Sequence, residues 1–317
     1  MPAAAKPPRR AVDGVLLLDK PSGMTSNAAL QTARRLLAAR KAGHTGTLDP
    51  MASGLLPLTF GEATKFSQML LDANKVYEAG VTLGIQTDTG DAEGKVLAVQ
   101  PVAVDEIALR ETLARFIGEI EQTPPMYSAL KRDGKPLYEY ARAGIEIERA
   151  PRRVTITELT LLAFGQNRFA IRVACSKGAY IRSLAMDIGA ALGCGAHLDA
   201  LRRTRIGDFD LSGSVTLDAI EATAPEARES LLAPVDALLK GFPKLALDAA
   251  EAWLILRGQP LDLPEQRKAP GDCARLFGPE GFLGLGQWKE DGRLWPKRLI
   301  ATAQEHTPGF IPPQSCC

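Results

Sequence analysis

Cysteine, histidine and long apolar runs are all scarce in this chain, and each scarcity excludes a class of protein. Five cysteines (Cys175, Cys194, Cys273, Cys316 and Cys317) show no C-x-x-C spacing, and only three histidines exist to join them. A structural zinc site is therefore not expected, and the thiols read as reduced. The Cys316-Cys317 pair does not fit the C-a-a-X lipidation pattern and reads as part of a frayed tail. Behind the basic opening MPAAAKPPRR, the apolar run Val15 to Leu18 is too short for a signal-peptide core or a membrane span, so a cytoplasmic location is expected. No fixed-period repeat is present, which excludes a solenoid. Neither sign of charge dominates: the formal net charge is +1, which argues neither for nor against a polyanionic partner.

What is present is ordinary globular material. Hydrophobic residues make up 45% and charged residues 24% of 317, too apolar for disorder. That length suits a large first domain followed by a smaller one. Positive charge is clustered, in Arg34, Arg35, Arg40 and Lys41, in Lys131, Arg132 and Lys135, in Arg149, Arg152 and Arg153, and in Arg202, Arg203 and Arg205. Acidic residues gather between Asp88 and Glu121. Such clustering is compatible with one basic face for phosphates, although each cluster alone would equally suit a solvated face.

The coarse pattern is mixed α+β. Asp19 to Gly23 reads as a turn, and Thr25 or Ser26 can cap a helix that runs to about Arg40 on the apolar stripe Leu30, Ala33 and Leu37. A Gly-rich loop spans Gly43 to Gly54. Val76 to Ile85 reads as a strand joined in a hairpin to Lys95–Val99. Helical spacing covers Val104 to Phe116, ending at Gly118. Residues 123–153, rich in proline, basic and aromatic side chains, read as a surface insertion able to grip RNA. Strands are expected at Val154 to Leu162 and Phe169 to Cys175, then a helix from Ala179 to Gly193. Beyond Phe242-Pro243, short apolar stretches around an Asp291-Gly292 turn read as a small β-rich domain.

Chemistry concentrates in Gly43-His44-Thr45-Gly46-Thr47-Leu48-Asp49-Pro50-Met51-Ala52-Ser53-Gly54. The glycines admit close approach of a ligand, and Pro50 biases Asp49 toward an extended backbone. A carboxylate is ionised at neutral pH and can serve as nucleophile or base without activation. For an isolated Asp-Pro, an Asx-type turn would be the better reading; the length of the motif favours a site. No lysine follows Gly54, so this is no Walker loop. Thr45-Gly46-Thr47 precedes the aspartate rather than following it, unlike phosphorylated-aspartate ATPases. Asp88-Thr89-Gly90 occurs once, whereas an aspartic protease needs a pair, and it reads as a turn.

The ordered segments GVLLLDKPSGMTS, GHTGTLDPMASGLLPLTFGEATKF, KVYEAGVTLGIQTDTGDAEG, QTPPMYSALKRDGKPLYEYAR, CSKGAYIRSLAMDIG and LRRTRIG together resemble the TruB family of pseudouridine synthases across most of residues 12–217. LILRGQPL and FLGLGQWKEDGRLWPKRLI resemble the PUA-like domain that ends bacterial members. The resemblance implies a mixed, largely antiparallel sheet flanked by helices, the pseudouridine synthase fold, in residues 12–243 with the inserted RNA-gripping segment at about 123–153. A PUA-like β-barrel at 244–303 follows, and residues 1–11 and 304–317 are expected as tails. It implies isomerisation of uridine to pseudouridine at position 55, in the T loop of tRNA, by breaking C1′–N1 and rejoining C1′ to C5.

On this resemblance Asp49 is the catalytic aspartate, Tyr77 stacks on the base and assists proton removal, and Arg182 pairs with Asp49. His44, Tyr180 and Leu201 line the pocket. Lys20 is placed with the substrate-binding residues, although it reads equally as a phosphate contact or as a stabilising charge in its turn. Attack at C6, attack at C1′ and removal of a ribose proton all remain open to Asp49. The reaction needs no metal or cofactor, and the implied partner is the T arm of tRNA, with no obligatory protein partner, no membrane and a monomeric state. Two other readings are an RNA-binding folding factor with little catalysis, and a hydrolase that uses Asp49 to release uracil. Loss of modification but not of binding in Asp49→Asn separates the first, and free uracil the second.

Overall fold

The computed structural model describes residues 9–301. The Cys316-Cys317 terminus and most of the expected N-terminal tail lie outside the described residues. The tail is shorter than expected at its inner end, because Arg10 bridges to Ala39 and exchanges backbone hydrogen bonds with Ala38 and Arg40.

The chain begins with β1 (Gly14–Lys20), α1 (Ser26–Leu36), β2 (Ala42–His44), β3 (Ser53–Phe60), α2 (Gln68–Leu71) and β4 (Lys75–Leu83). A small hairpin, β5 (Ile85–Thr87) and β6 (Val96–Val99), leads to α3 (Glu106–Ala114) and β7 (Gly118–Gln122). Next come β8 (Lys131–Arg132), β9 (Lys135–Pro136) and α4 (Leu137–Arg142), then the long pair β10 (Arg152–Phe164) and β11 (Arg168–Cys175). α5 (Ile181–Ala191), β12 (Ala196–Ile206), β13 (Phe209–Asp210) and α6 (Leu217–Ala222) complete the main body. The C-terminal part holds β14 (Lys244–Ala246), α7 (Ala249–Leu256), β15 (Cys273–Gly278), β16 (Gly281–Trp288) and β17 (Leu294–Leu299).

The main sheet runs β1-β3-β12-β4-β11-β10-β7, with β2 and β13 added at its sides. Every pairing in it is antiparallel except β12 with β3. Mixed pairing with antiparallel dominance is what the family resemblance implies. The core forms where α1, α3 and α5 cover the sheet, burying Leu16, Leu18, Leu56, Leu58, Val81, Ile171 and Leu184 completely. Each such side chain contributes about 1.5–3 kcal/mol by leaving water.

Three expectations change. α1 stops at Leu36, not near Arg40: Ala38 takes a left-handed conformation (φ 50°), and the amides of Ala38 and Ala39 bond back to Arg35 and Arg34. That is a Schellman ending, which releases the chain into β2. The hairpin partner of β6 is β5, because Gly84 (φ 82°) ends β4, whose edges are already taken by β11 and β12. The 123–153 insertion is not wholly superficial: Pro124, Pro125, Ser128 and Leu137 are buried, so its first part is a wall of the molecule.

The C-terminal sheet follows the path β14-β15-β16-β17, with β14 parallel to β15. It shares a core with the main body: Phe282 meets Phe66 at 5.8 Å, and Val15, Leu55 and Leu239 join Leu285 and Ile300. No helix among the described residues is long and apolar enough to cross a membrane.

Candidate active site

A cavity of about 340 Å³ opens where the 46–49 loop, β4, α5, β12 and the 128–129 segment meet. Three polar clamps fix the loop that carries Asp49. Ser26, at the start of α1, donates its hydroxyl to the Leu48 carbonyl (3.0 Å) and accepts from the Leu48 amide (2.8 Å). Thr45 is tied through its amide and hydroxyl to the Pro57 carbonyl. Arg203 donates to the carbonyls of Gly46 (3.2 Å) and Leu55 (2.8 Å). Gly54 lets β3 lie against β12: at φ 103°, an added Cβ would sit 2.3 Å from the Arg203 carbonyl. Asp49 thus stands on a braced turn at the cavity edge, with 32% of its side chain still exposed and open to a ligand.

Arg182, 4% exposed in the first turn of α5, is the hub. Its Nη2 donates to Asp49 Oδ1 (3.2 Å) and to the Tyr127 carbonyl (2.6 Å), and Nη1 donates to the Thr89 carbonyl (3.1 Å). Nε lies 2.9 Å from Asp49 Oδ2 without aiming a hydrogen at it, and 3.6 Å from Asp91 Oδ2. The guanidinium therefore sits between two carboxylates and braces the insertion as well. Burial pushes the Asp49 carboxyl above the usual carboxylate range and Asp91 adds to the rise, while Arg182 and Lys20 oppose it. The group is thus more basic than a solvated aspartate.

Tyr77 emerges from β4 into the cavity opposite Arg203 of β12, its register partner. Burial raises the phenol above its usual range, and Arg203 is the main group opposing that rise. Cys175, on the neighbouring strand, has its thiol pushed up to about 12 by burial and stays protonated. Tyr180, the N-cap of α5, lines the cavity and is pinned by Gln122, which accepts from the Tyr180 amide (3.0 Å) and donates to its carbonyl (3.3 Å). Leu201 supplies an apolar wall.

The structure therefore brings together Asp49, Tyr77, Arg182, Tyr180 and Leu201, and separates two others. Lys20 lies inside its turn, off the surface. With no exposed surface, its ammonium donates to the carbonyls of Pro21 (2.8 Å), Met24 (2.7 Å) and Pro50 (3.5 Å), holding the turn under the Asp49 loop. Burial lowers its pKa to about 8. His44 is held by β2 in register with Leu58, ahead of the point where the loop enters the cavity wall at Gly46. Burial, with Arg203, lowers the pKa of its imidazole.

Two site residues escaped the sequence reading. Asp91 follows the Asp88-Thr89-Gly90 turn, and its carboxylate, taking bonds from the Thr89 hydroxyl and the Glu93 amide, gave no sign of facing Arg182. Arg203 lay within a basic cluster of surface appearance. The local signal that could have found it is position: it is two residues beyond Leu201 on the same strand.

Comparison with known proteins gives one answer along the chain. Residues 34–181 match the model of the TruB family pseudouridylate synthase N-terminal domain, 182–240 that of the tRNA pseudouridylate synthase B C-terminal domain, and 243–300 that of pseudouridine synthase II TruB, C-terminal. A protein of Azoarcus sp. (strain BH72) named tRNA pseudouridine synthase B is 69% identical over 297 residues, covering 94% of this chain and 98% of the relative. One of the same name from Cupriavidus metallidurans is 60% identical over 301 residues, covering 92% and 96%. Among solved structures, the archaeal box H/ACA sRNP Nop10-Cbf5 complex has a similar chain at TM-score 0.68 and 25% identity, covering 94% of this chain and 89% of that one. A chain of an H/ACA RNP bound to a substrate RNA containing 2'-deoxyuridine superposes at TM-score 0.67 with 26% identity, covering 90% and 84%.

Proposed function

This chain belongs to the TruB family of pseudouridylate synthases, and from that premise we propose that it isomerises the T-loop uridine at position 55 of tRNA with Asp49 as the essential carboxylate. The observation that carries the reading is the Asp49–Arg182 pair at the mouth of a cavity walled by Tyr77, Tyr180 and Leu201. A partly exposed carboxylate beside a fixed guanidinium can meet an extruded nucleotide without reorganising. Extruding a base from its stack costs roughly a few kcal/mol, which stacking on an aromatic wall offsets.

The isomerisation is balanced within the substrate. The C1′–N1 bond breaks, the uracil turns, C1′ joins C5, the C5 proton departs and N1 gains one. Asp49 handles the electron-poor sugar or ring, Arg182 holds it ionised and oriented, and Tyr77 receives the C5 proton. The 123–153 segment and the basic clusters grip phosphates of the T arm, which makes affinity fall steeply with salt. Residues 12–243 carry the chemistry and 244–303 an accessory RNA-binding unit. The enzyme acts alone, as a monomer in the cytoplasm where its substrate resides.

The test is incubation with unmodified tRNA transcript, without cofactor, followed by carbodiimide treatment and primer extension. A new stop at the T-loop uridine, absent with Asp49→Asn, supports the assignment. Tight binding by folded protein without modification would overturn it in favour of an RNA-binding protein that does no chemistry.

A further inference from the structure

Arg203 is among the largest side chains in the molecule to be fully buried, with 1% exposure. A cation taken wholly out of water carries a penalty of several kcal/mol unless partners repay it. Its ordinary partners here are neutral: the carbonyls of Leu55 and Gly46 receive Nε and Nη2. Among the described residues no carboxylate is paired with it. The remaining group it faces is the phenol of Tyr77, placed directly across the β12–β4 pairing. Both side chains border the cavity.

We propose that Arg203 is a positioning residue that acts through Tyr77, its guanidinium stabilising negative charge on the phenol oxygen so that this oxygen can take the proton from C5. The inference rests on the assignment of that step to Tyr77. In it the C5–H bond breaks, its electron pair becomes the C5–C6 double bond of the product, the ring pair displaced from N1=C6 settles on N1, and N1 is protonated. The oxygen accepts the proton only when it is itself deprotonated, and a buried phenol resists that. The titratable and charged groups around the phenol are Arg203 from β12, Cys175 from β11 and Asp49 from its loop. Burial and Asp49 both disfavour the phenolate while Cys175 stays a neutral thiol, which leaves Arg203 as the cation that favours it.

The same guanidinium also holds the Gly46 carbonyl, so loss of Arg203 could slow the reaction merely by displacing Asp49. The two effects move opposite ways in one observable. A displaced Asp49 slows breakage of C1′–N1 and makes departure of the C5 proton less rate-limiting. A weakened Tyr77 slows that departure itself and raises the isotope effect at C5.

The experiment is single-turnover reaction of a T-arm RNA hairpin carrying uridine or 5-deuterated uridine. Wild type, Arg203→Gln, Tyr77→Phe and the double variant are compared, with folding checked by melting and hairpin affinity. Arg203→Gln is expected to slow conversion by about a hundredfold, the scale of one positioned acid–base group, with a C5 isotope effect larger than wild type. The double variant is expected to be no slower than Tyr77→Phe. A slowed Arg203→Gln with unchanged or smaller isotope effect, or defects that multiply in the double variant, would overturn the inference. If Tyr77→Phe leaves rate and isotope effect unchanged, the assignment of Tyr77 falls, and the role of Arg203 with it. If Tyr77→Phe raises the effect and Arg203→Gln does not, only the role of Arg203 falls. Should Arg203→Gln not fold, Arg203→Lys keeps the charge but not the fork to both carbonyls; an isotope effect no larger than wild type is then expected even where conversion slows, and one raised as far as in Tyr77→Phe is the overturning result.

Discussion

At the scale of single residues, the site sets stability against function. Burial raises the Asp49 carboxyl above its unfolded value, so the folded state binds the proton more tightly than the unfolded one. Ionising Asp49 therefore subtracts stability as pH rises through the window between those two values. Asp49→Asn is expected to abolish isomerisation yet melt at the same or a higher temperature than wild type at pH 7, the difference vanishing in acid. A variant that melts lower at pH 7 would contradict this. Lys20 has the opposite sign of titration. Its folded pKa of about 8 lies below the ordinary 10.5, so its contribution to stability improves as pH rises from 8 toward 10.5. Lys20→Met leaves its carbonyl partners without a donor, a cost of about 1–3 kcal/mol, and slackens the turn beneath Asp49. The expected result is a lower melting temperature and lower kcat with unchanged RNA affinity and unchanged salt slope. A flatter salt slope would restore Lys20 to the phosphate contacts.

At the scale of elements, what was legible depended on whether a segment contrasts with its surroundings. α5 and the strands β10 and β11 were read close to their true positions because apolar and polar residues alternate with a clear period. β1 and β3 were missed as strands because they are buried almost throughout, and an unbroken apolar run carries no period. β12 was missed for the opposite reason: its arginines mimic a solvated face, yet Arg203 is internal because backbone carbonyls of β3 and the Asp49 loop receive it. Of the site, Asp49 was legible through its own motif, while Tyr77 and Arg182 needed the family resemblance, since a strand tyrosine and a helix arginine are otherwise unremarkable. Asp91 was invisible because its partner lies on an element read separately. The end of α1 was misplaced because its left-handed position is Ala38 rather than glycine. Ala38→Gly is expected to raise unfolding stability by about 0.5–1 kcal/mol, seen as a shift in denaturant midpoint at constant slope.

At the scale of the whole molecule, the C-terminal part is bonded into the catalytic body rather than appended to it. Phe282 packs on Phe66, Lys65 donates to the Leu299 carbonyl (2.9 Å), and Arg275 pairs with Asp236 at 2.9 Å. Truncation after residue 243 would bare Phe66, Leu55 and Leu239. We expect it to weaken RNA binding and also to lower the melting temperature and solubility of the remainder, measured on the truncated chain beside the full one. Unchanged melting would mean that the two parts are thermally independent despite their contact. The order of strands has a further consequence for how the molecule comes into being. β12 lies between β3 and β4 although it is the last of the three along the chain. A chain leaving the ribosome therefore carries the two halves of its sheet with open edges toward one another until residues 196–206 emerge and close the gap. Asp49 and Tyr77 stand on those two halves, so on the roles proposed for them the nascent protein is inert as an enzyme, and adhesive as a polymer, until most of it has been made.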